Sequence, residues 1–260
     1  EKIDFTYRAQ AYLTNNSYEF DLSSTSAAVD MADVESLAFG TNFDNYRLAA
    51  TGVKLADHKF VSDEAFALQE GIVYNLTEKR VTKIMNENFS AGANRMIFHG
   101  SSYMNANAAT PETGTLANQW PGWHAFMSLC TDPWNARQPY WEDIDGLAGY
   151  IARTQAVLQN GEEKADVLVY SQTAYDPFTR TREGDKSAFT GLLDAGYTYD
   201  IVGNDGLLLA AEKLAADSSY YKAVVVNNIT RIPLEDMEKL LEIGRKGVPI
   251  YFYKAVPEKS

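Results

Sequence analysis

Two acidic residues follow an apolar stretch in the first third of the chain, in the segment Val61-Ser62-Asp63-Glu64-Ala65-Phe66. Cleavage of a glycosidic bond requires a carboxyl group on each side of the bond, one protonated and one ionised. Adjacent strand residues point to opposite faces, which disfavours Asp63 and Glu64 as that pair. Glu64 is the better candidate for one catalytic carboxyl group, and the alternative is an ordinary surface or N-cap acid.

The second carboxyl group has no distinguishing sequence context. Burial among aromatic side chains would help to separate the pKa values of an acid and a base. Six acidic residues are candidates for this role: Glu35, Asp44, Glu112, Asp132, Glu142 and Asp143. None of them stands in a motif that assigns the role, so the pairing stays open at this level.

Candidate sugar contacts follow further along the chain. His99 stands where a predicted strand ends, and in β/α barrels the carboxyl ends of the strands form the active face. All four tryptophans lie between positions 120 and 141, in or beside a long segment with little periodicity. Aromatic faces suit the C–H faces of a sugar, and polar neighbours bind its hydroxyls. The predicted sugar contacts are therefore His99, Trp120, Trp123, Asn135 and Trp141.

Each of these contacts has a structural alternative. A histidine at a strand end is often a satisfied structural residue, and tryptophan rings can anchor a long loop onto the core. The pattern alone favours neither interpretation.

Composition excludes several other classes of protein. The 260 residues carry a formal net charge of −12, which repels phosphate backbones and anionic lipid headgroups. We therefore predict neither nucleic-acid nor membrane partners. The single Cys130 can form neither an internal disulfide nor a cysteine-rich zinc site. Phosphate-binding glycine loops, zinc-type histidine spacings and a serine nucleophile elbow do not occur in the sequence.

The elements that must position these residues alternate along the chain. In the first part, strands are predicted over 3–13, 36–40, 59–62 and 95–98, and helices over 45–56, 76–89 and 140–158. After Gly161, strands are predicted over 165–170, 198–202, 222–227 and 248–252, and helices over 187–195, 205–216 and 233–246. This series predicts a small parallel-sheet α/β domain, with a boundary between 1–161 and 162–260.

The order of several segments resembles that of glycoside hydrolase family 106, the α-L-rhamnosidases. The segments are Val61 to Phe66, Gly92-Ala93-Asn94-Arg95-Met96-Ile97-Phe98-His99-Gly100, Trp120-Pro121-Gly122-Trp123 and Tyr150-Ile151-Ala152-Arg153-Thr154-Gln155. The resemblance implies a β/α barrel in which two glutamates cleave α-L-rhamnosides with inversion, assisted by calcium. It implies that Glu64 is one of the two glutamates. It also suggests polysaccharide breakdown by a periplasmic or secreted bacterial protein.

The family's other glutamate is expected on an earlier barrel strand. Residues 1–161 are too few for eight β/α units, which typically take about 250 residues. The predicted fold is therefore α/β, a partial TIM-type barrel followed by a small flavodoxin-like parallel-sheet domain. We expect the remainder of a longer parent chain, or an oligomer partner, to complete the barrel and its exposed edges.

Three functions remain open from the sequence. The first is part of a rhamnosidase that uses Glu64. The second is a non-catalytic carbohydrate-binding or assembly module that retains the aromatic segment. The third is a glycosidase of another barrel family, such as a β-galactosidase with a similar trailing α/β domain.

Overall fold

The computed structural model describes residues 5–10, 21–40, 42–69, 74–100, 130–131, 134–136, 138–172 and 187–258. Its first sheet is parallel, with neighbouring strands in the order β1 (Arg8–Ala9), β2 (Met31–Glu35), β3 (Phe60–Ala65) and β5 (Arg95–Phe98). A short antiparallel pair joins β4 (Leu68–Gln69) and β6 (Cys130–Thr131). The helices of this part are α1 (Leu22–Ala27), α2 (Ser36–Phe39), α3 (Phe43–Leu55), α4 (Glu78–Ser90) and α5 (Ile144–Leu158). A 3-10 turn at Trp141–Asp143 precedes α5.

The second sheet is also parallel. Its strands are β7 (Val167–Tyr170), β8 (Tyr199–Val202), β9 (Ala223–Asn227) and β10 (Ile250–Tyr253), and they lie in the order β8, β7, β9, β10. The helices are α6 (Thr190–Asp194), α7 (Asn204–Ala216) and α8 (Leu234–Arg245). The predicted parallel α/β alternation is confirmed. None of the helices in the described part of the chain has the length and apolar character needed to cross a bilayer.

One predicted strand is wrong. Residues 36–40 form helix α2 and its end, where Gly40 has a φ of 55°. The strand lies just before it, in β2, and all five residues of β2 are buried. Asp33 and Glu35 interrupt the apolar pattern of β2. Burying their carboxyl groups costs free energy, and partners from other elements must offset that cost.

Helix α3 lies between the two sheets. Most of its residues are buried, including the small residues Ala49, Ala50 and Gly52. A helix that is buried nearly all round has no polar stripe, and its small side chains let neighbouring backbones approach closely. On one side α3 covers the edge of β8, where Thr51 Oγ1 accepts a hydrogen bond from the Ile201 amide at 3.2 Å. This contact gives the Ile201 amide, at the edge of the sheet, a hydrogen-bond acceptor that β7 does not supply.

Buried polar contacts reinforce the α3–β8 interface. Arg47 Nη1 donates to the Tyr199 carbonyl at 2.9 Å, and the Tyr199 hydroxyl donates to Asp44 Oδ1 at 2.7 Å. Lys54 forms an ion pair with the buried Asp200. Hydrogen bonds to charged groups are the stronger kind, so these contacts fix the position of α3 against the second sheet.

A single apolar cluster spans both sheets. It includes Val34 and Val61 from the first sheet, Leu48 from α3, and Val169 and Ile201 from the second sheet. The two sides of Gly161 therefore share part of their core through α3. The division at residue 161 stays a prediction.

Asp21 caps two helices that lie far apart in the chain. Its Oδ1 accepts from the Ser23 amide of α1 at 2.9 Å, and its Oδ2 accepts from the Gly206 amide of α7 at 2.7 Å. We expect Asp21→Ala to lower the free energy of unfolding by about 1 to 4 kcal/mol, because two N-terminal amides lose their acceptor. Urea denaturation measures the change.

Asp21→Asn provides the matched control for this prediction. An asparagine side chain has a single acceptor oxygen, so it can serve one of the two amides but not both. We expect it to lose roughly half as much stability as Asp21→Ala. Equal stability of all three proteins would contradict the double cap.

Candidate active site

Glu64 lies at the carboxyl end of β3, in register with Glu35 of β2 and Ile97 of β5. Its side chain keeps about 23% of its exposure, whereas the neighbouring Asp63 is fully buried. The prediction that Asp63 and Glu64 face opposite sides of the sheet is confirmed. Glu64 is therefore the acid of this pair that solvent or a ligand can reach.

Two polar side chains contact the Glu64 carboxylate. Gln10 Nε2 donates to Glu64 Oε2 at 2.6 Å, and His99 Nε2 lies 3.9 Å from Glu64 Oε1. His99 follows the end of β5 and is about 20% exposed. The parallel alignment of β3 and β5 thus brings the predicted acid and the predicted histidine together, as the carboxyl ends of neighbouring barrel strands do.

The face of the sheet that carries Glu64 is acidic. Asp33 and Glu35 of β2 lie in register with Ser62 and Glu64 of β3, so all four side chains point to the same side. We call these four residues the acidic face. Asp33 accepts from Arg8 Nε at 2.5 Å. Burial raises the pKa of Asp33, and the contact with Arg8 opposes that increase.

Strand register separates Glu35 from the other candidates for the second carboxyl group, because it alone of the described ones stands beside Glu64. Asp44 lies on α3 and accepts hydrogen bonds from Ala188 and Tyr199, which commits it to the interface between the sheets. Glu142 and Asp143 are exposed in the turn before α5. The remaining two, Glu112 and Asp132, lie outside the described residues.

Asn135 lies close to the chain segment that carries His99. The Trp134 amide donates to the Gly100 carbonyl at 2.9 Å, which joins the residues after β5 to those around Asn135. Asn135 itself is buried. Trp141 begins the 3-10 turn and is partly exposed. Trp120 and Trp123 lie outside the described residues.

Trp134 illustrates the structural alternative for the tryptophans. It is buried, and its ring lies 5.3 Å from that of Phe66 and 4.6 Å from that of Phe98, between ring centroids. Tyr140 packs against the same ring at 6.3 Å. This tryptophan anchors its segment onto the core and supports the strand ends that carry Glu64 and His99.

Sequence reasoning did not identify Gln10, Arg8 or Asp33 as part of the site. Gln10 and Arg8 fall inside a predicted strand, where polar residues alternate with apolar ones, and that alternation was their only signal. Their contacts with Glu64 and Asp33 join residues 54 and 25 positions apart. No local pattern contains such pairings.

Asp63 lies on the opposite face, where it contacts the helices. Asn88 Nδ2 donates to Asp63 Oδ2 at 2.6 Å. Burial raises the pKa of Asp63 to about 8; the hydrogen bond from Asn88 opposes this, and the nearby charges of Asp33, Glu35 and Glu64 add to it. Asp63 is therefore largely protonated at neutral pH.

This raised pKa predicts a pH-dependent stability. The folded-state pKa lies above the ordinary 3.8, so the contribution of Asp63 is fully present below about pH 4 and is lost as the pH rises through about 8. We expect the free energy of unfolding to fall across that range and Asp63→Asn to flatten the decline. Urea denaturation at several pH values measures it, and identical profiles for both proteins would contradict the prediction.

The described residues do not assemble a metal site by themselves. No group of three or more His, Cys, Asp or Glu side chains in this part of the chain is arranged to hold a metal ion. Calcium typically takes six to eight oxygen ligands. The described residues therefore do not fit a calcium ion on their own, and the calcium prediction rests on the family resemblance alone.

Comparison with solved structures identifies relatives of this fold. A rhamnosidase from Novosphingobium sp. PP1Y matches with a TM-score of 0.58 and 15% identity, covering 92% of this chain and 22% of that one. The chain thus spans about a fifth of the length of that protein. A GH42 β-galactosidase matches with a TM-score of 0.48 and 9% identity, over 95% of this chain and 36% of that one.

A β-galactosidase from the psychrophilic Marinomonas ef1 matches with a TM-score of 0.43 and 14% identity, over 85% of this chain and 36% of that one. No curated protein sequence matches the chain. The described part of the chain is an α/β protein with parallel sheets, and an acidic face lies at the strand ends of its first sheet. The sequence profile of glycoside hydrolase family 106, described as alpha-L-rhamnosidase, matches residues 24–260. The chain belongs to this family.

Proposed function

We propose that the chain is part of a glycoside hydrolase that cleaves α-L-rhamnosides with inversion, and that Glu64 is one of its two catalytic glutamates. The observation that supports this proposal best is the position of Glu64. It lies at a strand end beside His99 and Gln10, partly exposed, in a chain that belongs to a rhamnosidase family. Glu64 serves either as the acid that protonates the leaving oxygen or as the base that activates water.

We further propose that the first sheet is a segment of a TIM-type barrel and that the second belongs to a flavodoxin-like domain. Parallel strands that pair in chain order, β1, β2, β3 and then β5, are typical of adjacent barrel strands. The order β8, β7, β9, β10 corresponds to the 2-1-3-4 arrangement of a flavodoxin-like sheet. The proposed partner at the barrel edges is the rest of the parent chain or another subunit.

The spacing of Glu35 and Glu64 bears on the second catalytic group. Neighbouring strands lie about 4.8 Å apart, so in-register side chains start closer together than the roughly 6.5 to 9.5 Å that an inverting pair needs for its water. Glu35 therefore fits the role of a charged neighbour better than that of the water-spaced partner. We place the partner glutamate on another barrel strand of the full-length protein.

His99, Trp120, Trp123, Asn135 and Trp141 remain the proposed sugar contacts, and a carbohydrate is the proposed ligand. His99 fits this role directly, because it borders Glu64 and retains exposure. Asn135 is carried by the segment that hydrogen-bonds to Gly100, one residue after His99. Calcium remains a proposed cofactor of the complete enzyme, and no step of the reaction is assigned to it.

The proposal is tested by hydrolysis of a panel of aryl glycosides. We expect the full-length polypeptide that carries this chain to cleave an aryl α-L-rhamnoside and to leave aryl β-D-galactosides intact. Because we propose that the partner glutamate lies on another strand of the full-length protein, we expect the 260 residues alone to show little turnover. Cleavage of the galactoside and not the rhamnoside would overturn the proposal in favour of the β-galactosidase alternative.

A carbohydrate-binding module is the second candidate. It is favoured by one observation: among the described candidates, the acid beside Glu64 is Glu35, which lies in register on the neighbouring strand, and the strand spacing of about 4.8 Å is shorter than the separation an inverting pair needs. Such a module would bind L-rhamnose equally well after Glu64→Gln and more weakly after Trp123→Ala, and calorimetry measures both. Full binding by both variants would exclude Trp123 as a platform.

A further inference from the structure

We propose that Asn88 is a positioning residue that joins the ends of β2 and β3 from behind the acidic face and so sets the relative placement of Glu35 and Glu64. Asn88 lies near the end of α4 and is buried. This inference rests on the proposed function, because it concerns the same site. The Asn88 side chain does not itself reach the acidic face.

The geometry of the amide group carries the proposal. Asn88 Nδ2 donates to Asp63 Oδ2 at 2.6 Å and to Ser36 Oγ at 3.4 Å. Asp63 immediately precedes Glu64, and Ser36 immediately follows Glu35. One amide group thus contacts the residues adjacent to both glutamates. Because alternate residues face opposite sides, this contact holds the strands without occupying the face that carries the glutamates.

The strand ends need such a contact because the chain leaves the sheet there. Helix α2 begins at Ser36, directly after β2. One residue after β3, Phe66 adopts a φ of 71°, a conformation in which the strand cannot continue. The backbone ladder between β2 and β3 therefore ends at Glu35 and Glu64. Beyond the end of this ladder, a side-chain contact such as that of Asn88 can restrain the last positions of β2 and β3 against each other.

A buried amide and a buried carboxyl group stabilise a core less effectively than apolar side chains do. They lie beside the apolar cluster of α4, which includes Val81, Met85 and Phe89. Apolar side chains of similar volume would avoid the desolvation penalty, whereas the hydrogen bond between Asn88 Nδ2 and Asp63 Oδ2 has directional requirements that specify one arrangement. The groups whose charges act on Asp63 are all acidic, namely Asp33, Glu35 and Glu64, so the protonated form of Asp63 avoids a further negative charge behind the site.

The experiment uses the full-length polypeptide and two independent readouts. Hydrogen exchange measured by mass spectrometry reports the strand ends, and steady-state kinetics with an aryl α-L-rhamnoside report the site. For Asn88→Ala we expect faster exchange in the peptides that contain residues 35–36 and 63–66, with β9 unchanged. We expect kcat to fall by about 10- to 100-fold, since small misplacements of reacting groups have effects of this size, and KM to change less than about twofold.

Two further variants separate positioning from general destabilisation. Asn86→Ala is the matched control, because Asn86 is an exposed residue of the same helix that bonds Tyr150 at 2.7 Å. We expect it to leave kcat and the exchange of the strand ends unchanged. The double variant Asp63→Asn/Asn88→Asp swaps the two side chains, so that one donor again faces one acceptor. We expect it to recover kcat to within about threefold of the wild type, whereas each single variant stays low.

The outcomes are distinguishable. Unchanged exchange at the strand ends in Asn88→Ala overturns the proposal, whatever the activity. Faster exchange with an unchanged kcat in an active enzyme overturns the positioning role. If Asn88→Ala exchanges faster at the strand ends but the wild-type protein cleaves no rhamnoside, the contact between the strands is supported and the proposed function is refuted.

Discussion

Replacing Glu64 with glutamine is expected to lower the kcat of rhamnoside hydrolysis by about 10²- to 10⁴-fold, the range that a general acid or base contributes. Glutamine keeps the size of the side chain and can still contact Gln10 and His99, but it can neither give nor take the proton. KM is expected to change little, because the loss falls on the transition state. Initial rates with the full-length polypeptide and an aryl α-L-rhamnoside measure both constants.

The control for this variant is Glu238→Gln, which makes the same chemical change at an exposed position of helix α8, in the part of the chain that forms the second sheet. It is expected to retain wild-type kinetics. A Glu64→Gln enzyme with more than about a tenth of the wild-type kcat would remove Glu64 from the catalytic pair. Comparing the pH profiles of kcat/KM then shows which limb depends on Glu64, and so whether it is the acid or the base.

A large loss of stability is expected from Gly52→Ala. A Cβ atom at position 52 would lie 1.9 Å from the carbonyl oxygen and 2.8 Å from the carbonyl carbon of Ser23. These are backbone atoms of α1, so a side-chain rotation cannot relieve the overlap. The helices α1 and α3 must separate, and overpacking of this kind typically costs about 1 to 3 kcal/mol. We expect a loss of about 3 kcal/mol in the free energy of unfolding.

Gly146→Ala is the matched control, because Gly146 is also helical but a Cβ there would meet no atom within 4 Å. Alanine is favoured over glycine in a helix by about 1 kcal/mol, so this variant is expected to gain stability. Urea denaturation compares the two. A Gly52→Ala protein as stable as the wild type would show that α1 and α3 do not pack as closely as described.

Most elements follow from local pattern. Helix α4 was predicted over 76–89 and lies at Glu78–Ser90, with Thr77 accepting from the Arg80 amide at its start. Capping and periodicity act within a few residues, so the chain reveals them directly. The same holds for β7, whose apolar run matches its complete burial. Strand β2 escaped prediction because its two acids are buried by distant partners.

The site was only partly predictable. Glu64 and His99 were identified from their places at strand ends, and the structure brings them together. Glu35 was one of six equal candidates until strand register placed it beside Glu64. Trp134 belongs to the tryptophan-rich segment considered for sugar binding, yet its ring is buried in the core. Composition supplies the aromatic side chains but does not specify which of them face the ligand.

By itself, the sequence determined the alternating β/α organisation, the opposite orientation of Asp63 and Glu64, and the resemblance to family 106. These depend on residue order and on periodicities of two and about 3.6, which are local properties. Tertiary structure decided the contact of Gln10 with Glu64, the position of α3 between two sheets, and the contact of Asn88 with two strand ends. Each of these depends on which distant segments pair and in what register, and a shift of one residue in register would reverse every side chain on a strand.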